Sequence, residues 1–157
     1  MKLGIDADKF TVLIMTGSFG IGPIEEIAEF LYQDVQVLVV CALNKELYRH
    51  LEAKNLPNVK VYGFVDNSDE LMAVSDLIIT KPGGLSISEI LSIGLVPIFI
   101  SPIPGQEKEN VSALSKFGIG FLPRTTKDIR DIVLDLKANP DKFNGLLEKI
   151  RKAKKPD

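Results

Sequence analysis

The sequence is poor in residues that carry redox, metal or nucleophilic chemistry, with one cysteine, one histidine and no tryptophan. A single cysteine excludes an internal disulfide framework, and Cys41 lies in an apolar run that suits a reduced thiol. Without a His/Cys cluster there is no zinc site to predict. A Ser-His-Asp triad would have to use His50, which adjoins Arg49 on a polar stretch and is interpreted as exposed surface.

Long apolar runs and excess charge are absent as well. No apolar stretch reaches the roughly 20 residues that a membrane-spanning helix requires, and the first ten residues, MKLGIDADKF, predict no secretory signal. The formal net charge of −2 gives no basic field, so no nucleic-acid partner is expected. The basic run Lys149–Lys155 is interpreted as a solvated helix end.

Apolar runs of strand length alternate with amphipathic stretches along the 157 residues, which predicts one domain over residues 1–157. Strands are predicted at 10–16, 35–41, 59–63, 77–80, 96–100 and 119–122. Helices are predicted at 23–32, from an Asn44 cap to 54, and at 68–74, 85–93, 126–137 and 142–152, with another ending near Phe117. This rhythm predicts an α/β fold, a Rossmann-like parallel sheet of about six strands with helices on both faces.

Ligands of such sheets bind at the carboxyl ends of the strands, which directs attention to the loops that follow them. The loop GSFGIG, residues 17–22, suits a phosphate because glycines let backbone N–H groups approach a ligand ahead of a helix N-terminus. Its spacing matches neither the dinucleotide fingerprint nor a P-loop. NAD is also disfavoured because Val40-Cys41-Ala42 lacks the acidic residue that would bind the ribose.

Two further loops combine turn residues with polar groups. After the turn KPGG, residues 81–84, Ser86 and Ser88 offer donors at a helix start, and Glu89 could accept two hydroxyl hydrogen bonds from a ribose. Gln106 and Glu107, in PGQEKEN, carry groups that suit sugar hydroxyls. Taken alone, each loop could equally be an ordinary turn or capped helix start with solvated charges.

The run ITKPGGLSISEILSIGLVPIFISPIPGQEKENV, residues 79–111, closely resembles the C-terminal, donor-binding domain of GT-B glycosyltransferases. The resemblance is nearest to the diacylglycerol glycosyltransferases (monogalactosyldiacylglycerol synthase and the bacterial processive glucosyltransferases) and more distant to MurG. It rests on a Gly-Gly turn, a Ser-Glu pair on the helix and Pro-Gly-Gln-Glu after the next strand. The loop at 17–22 and GFVDN at 63–67 fit it too, so it covers about residues 9–155.

The resemblance implies a site for a UDP-sugar. Backbone at Phe64 and Val65 would read the uracil, Glu89 would hold the ribose hydroxyls, and Gln106 and Glu107 would contact the sugar. The diphosphate would lie against Gly17, Ser18 and the helix start, whose residues are Gly83, Gly84, Leu85 and Ser86. Since helix dipoles and amides stabilise the diphosphate in such enzymes, no metal and no cofactor are expected, the UDP-sugar being a substrate.

The resemblance further implies an inverting, metal-independent transfer of a hexose to a lipid acceptor such as diacylglycerol. It also implies residence in the cytoplasm with peripheral association at the inner membrane face. Family members carry an N-terminal domain that binds the acceptor and supplies the catalytic base, and this sequence has no counterpart. The chain is therefore interpreted as an excised domain or one subunit of a split enzyme, with catalytic residues unassigned and little or no transfer expected from it alone.

Other functions remain open on the sequence. The chain could be a non-catalytic, nucleotide-sugar-binding regulatory subunit, half of a split transferase that uses UDP-GlcNAc, or half of a nucleotide-sugar epimerase. UDP-glucose, UDP-galactose and UDP-GlcNAc all remain candidate donors.

Overall fold

The structure is a computed structural model that describes residues 5–17, 23–81, 87–100 and 120–154. Its strands are β1 (Thr11–Met15), β2 (Gln36–Val40), β3 (Val59–Tyr62), β4 (Leu77–Thr80) and β5 (Val96–Phe99). Its helices are α1 (Ile24–Leu31), α2 (Lys45–Lys54), α3 (Ser68–Ala73), α4 (Ile87–Ile93), α5 (Thr126–Ala138) and α6 (Pro140–Lys154). Apart from the strand predicted at 119–122, the predicted elements in these ranges are found with small shifts at their ends. The helix predicted to end near Phe117 lies outside the described residues.

The strands form one parallel sheet in the order β3-β2-β1-β4-β5. The prediction of about six strands was wrong by one within the described residues. Where the sixth was expected, Phe121 forms a single isolated bridge with Ile98. The next residue that would donate to that ladder is Pro123, which has no N–H, so the pairing does not continue.

β1 is the central strand of the sheet. The strands β2 and β3 are added on one side of β1, and β4 and β5 are added on the other side. β1 pairs with β2 on one side and with β4 on the other. Right-handed crossovers then place α1 and α2 on one face of the sheet and α3 and α4 on the opposite face. Every residue of β1, β2, β4 and β5 is accordingly buried, as the continuous apolar runs predicted.

Side-chain hydrogen bonds fix the starts of two helices, and an aromatic contact fixes the packing of a third. The Asn44 side chain accepts a hydrogen bond from the Leu47 N–H at 3.0 Å and so caps α2 as predicted. A capping box between Thr125 and Asp128 begins α5. Phe143 of α6 packs edge-on against Phe10, with ring centroids 5.4 Å apart, which ties the last helix to the segment that enters β1.

Candidate functional site

The carboxyl ends of all five strands lie at one edge of the sheet because the strands are parallel. Gly17, Gly63 and Lys81 follow β1, β3 and β4 closely at this edge. Strand β1 is the point at which the strand order reverses, and open α/β sheets bind ligands in the crevice at such a point. The two loops predicted to hold a diphosphate therefore leave the sheet on adjacent strands, β1 and β4.

Gly17 is the described residue of the glycine-rich loop, and its φ is +112°. An L side chain rarely adopts this conformation, so the turn out of β1 requires glycine. Ser18 and the rest of the loop to residue 22 lie outside the described residues, as do Gly83, Gly84, Leu85, Ser86, Gln106 and Glu107. Their predicted roles stay predictions.

Two buried hydroxyls at this edge have no hydrogen-bond partner among the residues that the structure describes, a feature that the sequence analysis missed. They are Thr16 Oγ1, directly after β1, and Tyr62 Oη, at the end of β3. Burial also raises the pKa of Tyr62 above its ordinary value. An unsatisfied buried hydroxyl is costly unless a ligand or water completes it. The sequence signal for Thr16 was a single polar residue closing the run FTVLIMT.

Glu89 lies in the first turn of α4, where its side chain is exposed. The strand that precedes Glu89 in the sequence is β4, which pairs with β1. Glu89 therefore follows the strand next to the one that ends before Gly17. Phe64 and Val65 lie farther along the edge, beyond β3, which β2 separates from β1. The Phe64 side chain is 75% exposed, and Val65 is half-buried.

Neighbouring strands are about 4.8 Å apart, so the edge from β3 to β5 extends over roughly 19 Å. Of the predicted contacts that the structure describes, those to the uracil (Phe64 and Val65) follow β3, and the diphosphate contact Gly17 follows β1 along this edge. Such an arrangement suits an extended ligand lying across the carboxyl ends of the strands. Among the described residues, no group of three or more His, Cys, Asp or Glu side chains could hold a metal ion.

The single histidine and the single cysteine of the sequence were not assigned to the candidate site. His50 is 58% exposed, with Nδ1 3.8 Å from a Glu25 carboxylate oxygen, which confirms its interpretation as a surface residue. Cys41 is fully buried directly after β2. In the described part of the chain, no helix is both long and apolar enough to cross a membrane.

The family model described as "Glycosyltransferase family 28 C-terminal domain" matches residues 11–154. The chain belongs to this family. The resemblance inferred from residues 79–111 is thereby confirmed, and the family 28 domain spans all five strands and the six helices described above.

Curated relatives of this family 28 domain include two processive diacylglycerol beta-glucosyltransferases. That of Bacillus subtilis strain 168 is 36% identical over 156 residues, covering 96% of this chain and 41% of the relative. That of Staphylococcus epidermidis strain ATCC 12228 is 38% identical over 157 residues, covering 96% and 40%. The chain thus spans about 40% of the length of these relatives.

Solved structures share the fold at lower identity. MurG of Acinetobacter baumannii matches with a TM-score of 0.73 and 22% identity, covering 97% of this chain and 48% of MurG. The C-terminal CMP-Kdo binding domain of WaaA from the same organism matches with a TM-score of 0.64 and 16% identity, covering 92% and 89%. Medicago truncatula UGT71G1, complexed with UDP-glucose, matches with a TM-score of 0.67 and 20% identity, covering 94% and 36%.

Proposed function

We propose that this chain is the donor-binding domain of a glycosyltransferase that transfers a hexose from UDP to a diacylglycerol-like lipid. The reaction would proceed with inversion and without a metal ion. The observation that carries the proposal is the pairing of β1 with β4 in a family 28 domain. Because of this pairing, Gly17 and Lys81, which begin the two glycine-containing loops, follow adjacent strands at the edge where such sheets bind ligands.

The chemistry of that edge suits a nucleotide diphosphate. Gly17, at φ +112°, turns the chain so that backbone N–H groups can approach an anion, and the helix α1 that follows adds the positive end of its dipole. The buried hydroxyl of Thr16, which has no partner among the described residues, offers one further donor beside the same loop. These groups would stabilise the charge that develops on the leaving UDP as the glycosidic bond forms.

The base would lie near the end of β3, and the ribose near Glu89 in the first turn of α4. The exposed carboxylate of Glu89 can accept hydrogen bonds from two neighbouring hydroxyls, which a ribose supplies. Backbone groups of Phe64 and Val65 at the edge of the sheet would pair with the uracil. The acceptor-binding site and the catalytic base would come from a further domain or subunit, which the length of the relatives leaves room for, because the chain covers 41% of the Bacillus subtilis relative.

Calorimetric titration of the chain with UDP and UDP-sugars tests the donor site. We expect micromolar binding, about −8 kcal/mol, with UDP preferred over ADP. Glu89→Ala should weaken binding by about tenfold or more, because two hydrogen bonds to a charged group are lost. Glu148→Ala is the matched control, since this exposed glutamate lies on α6 and in none of the loops that follow the strands. This variant should bind UDP as the parent chain does. Equal UDP affinity in Glu89→Ala and Glu148→Ala would contradict the assignment.

A transfer assay tests the reaction separately from binding. The chain is mixed with labelled UDP-sugar and lipid vesicles, with and without the acceptor-binding half of a relative such as the Bacillus subtilis enzyme. Label should enter lipid only with that half, survive EDTA, and appear with inverted anomeric configuration. Donor binding without label transfer in the presence of that half would favour a regulatory subunit instead.

A further inference from the structure

A groove of about 420 Å³ opens beside the ends of β2 and β3, against the first turns of α2. Its walls include Leu43 and Phe64, from the two loops, and Tyr48 from α2. Lys45 and Arg49, also on α2, line the groove as well. Of the predicted donor contacts that the structure describes, only Phe64 lines this groove.

The groove carries two apolar side chains that the fold leaves in solvent. Leu43 is 53% exposed and Phe64 is 75% exposed. They are neighbours because β2 and β3 are paired up to Val40 and Tyr62, and each residue follows its strand within a short loop. Large apolar side chains exposed together in one place mark a contact surface more often than scattered single ones do.

The two cations beside these apolar groups are not neutralised within the described residues. Lys45 and Arg49 are exposed and lie one helical turn apart, so they are on the same face of α2. Neither makes an ion pair with a described carboxylate, whereas Lys54 on the same helix pairs with Glu25 at 3.0 Å. The groove lining therefore combines apolar surface with two cations that make no ion pair to a described carboxylate.

The backbone beside Leu43 is held in an unusual conformation. Ala42 has φ +53°, in the left-handed region that residues other than glycine seldom occupy. The Ala42 N–H nevertheless donates to the Gly63 carbonyl at 3.2 Å, so the turn is tied to the end of β3. This turn carries the chain out of β2 directly into the exposed Leu43.

We propose that Leu43, Lys45, Arg49 and Phe64 form a docking surface for an anionic phospholipid bilayer. The two apolar side chains would enter the interface, and the two cations would contact head-group phosphates. Apolar and basic side chains arranged together in this way are the combination that peripheral proteins use at anionic membranes. The surface lies at the donor-binding edge of the sheet, but the inference does not depend on donor binding.

Co-sedimentation of the chain with vesicles tests this surface. We expect binding to phosphatidylglycerol/phosphatidylcholine vesicles, little binding to phosphatidylcholine alone, and weakening by salt. Lys45→Gln and Arg49→Gln should each weaken vesicle binding roughly fivefold. Leu43→Ser should weaken it as well, whereas Leu122→Ser should not, although Leu122 is equally exposed at 56%.

Lys152→Gln, at the basic end of α6, separates this surface from a general attraction of the helix end to the membrane. We expect Lys152→Gln to leave vesicle binding unchanged. Full sedimentation of the Lys45, Arg49 and Leu43 variants, or no sedimentation of the parent chain with anionic vesicles, would overturn the proposal. Thermal unfolding confirms that each variant is folded, and the UDP titration is an independent readout of the donor site.

Discussion

Ile14 of β1 is paired with Ile79 of β4 in a parallel ladder, although the two residues are far apart in the sequence. Gly17 and Lys81, which follow these two strands, therefore leave the sheet on neighbouring strands, whose spacing in a parallel sheet is about 4.8 Å. The proposal that one anionic ligand receives N–H groups from both loops rests on this pairing, and the predictions about binding test it.

Replacing Gly17 should damage both the fold and the donor site. In Gly17→Ala the φ of +112° would be strained, at a cost of about 1–3 kcal/mol, or the loop would turn differently. We expect a lower melting temperature and UDP binding weaker by about tenfold or more. Unchanged UDP affinity by calorimetry would show that this turn does not hold the diphosphate.

Two other glycines should respond in opposite directions to the same substitution. Gly94 ends α4 at φ +85°, so Gly94→Ala should destabilise the fold by about 1 kcal/mol. Gly145 lies inside α6 with open space around it, so Gly145→Ala should stabilise the fold by about 0.5–1 kcal/mol. Urea unfolding of both variants checks the pair. If both variants changed the free energy of unfolding in the same direction, helix propensity and backbone strain would not explain the difference between the two positions.

The capping box at Thr125 should contribute measurably to stability. The Thr125 hydroxyl accepts from the Asp128 N–H at 3.0 Å, and the Asp128 carboxylate accepts from the Thr125 N–H at 3.2 Å. Thr125→Ala should lower the free energy of unfolding by about 1 kcal/mol, whereas Thr125→Ser keeps the acceptor and should lose much less. Equal losses in the two variants would point to the methyl group instead of the hydroxyl.

The thiol of Cys41 should be unreactive in the folded chain. Burial, and secondarily the nearby Glu52 charge, raises the pKa of Cys41 from 9.0 to about 11. At pH 8 the thiolate fraction is then about one hundredth of that of an ordinary thiol. A thiol-specific reagent should therefore label the chain only after unfolding in urea, and rapid labelling of the native chain would contradict the buried position.

The same shift predicts an alkaline loss of stability. Because the folded-state pKa is the higher one, the protonated thiol's contribution is present below pH 9.0 and is lost as pH rises through about 11. The free energy of unfolding, measured from pH 8 to 11, should fall more steeply in the parent chain than in Cys41→Ala. Parallel pH profiles would contradict this prediction.

Much of the fold could be predicted because its signals are local. The apolar run 10–16 predicted β1, and Asn44 predicted the start of α2, since an Asn side chain caps a helix through a nearby N–H. The prediction of a sixth strand was wrong because a short apolar run predicts a strand whether or not a ladder forms. Within the described residues, Phe121 makes one bridge and no continuing ladder. Glu89 and Gly17 could be proposed from their motifs, whereas the unpartnered Thr16 hydroxyl required coordinates.

By itself, the sequence determined the alternation of strands and helices, the Asn44 cap of α2 and the family, because each depends on residue type within a short window. The tertiary structure alone decided that β1 lies between β2 and β4, since many apolar strands could pair with one another and only the packing of the whole sheet selects the order. It also decided that Leu43 and Phe64 meet at one groove, because pairing of β2 with β3 brings together two loops that the sequence keeps apart.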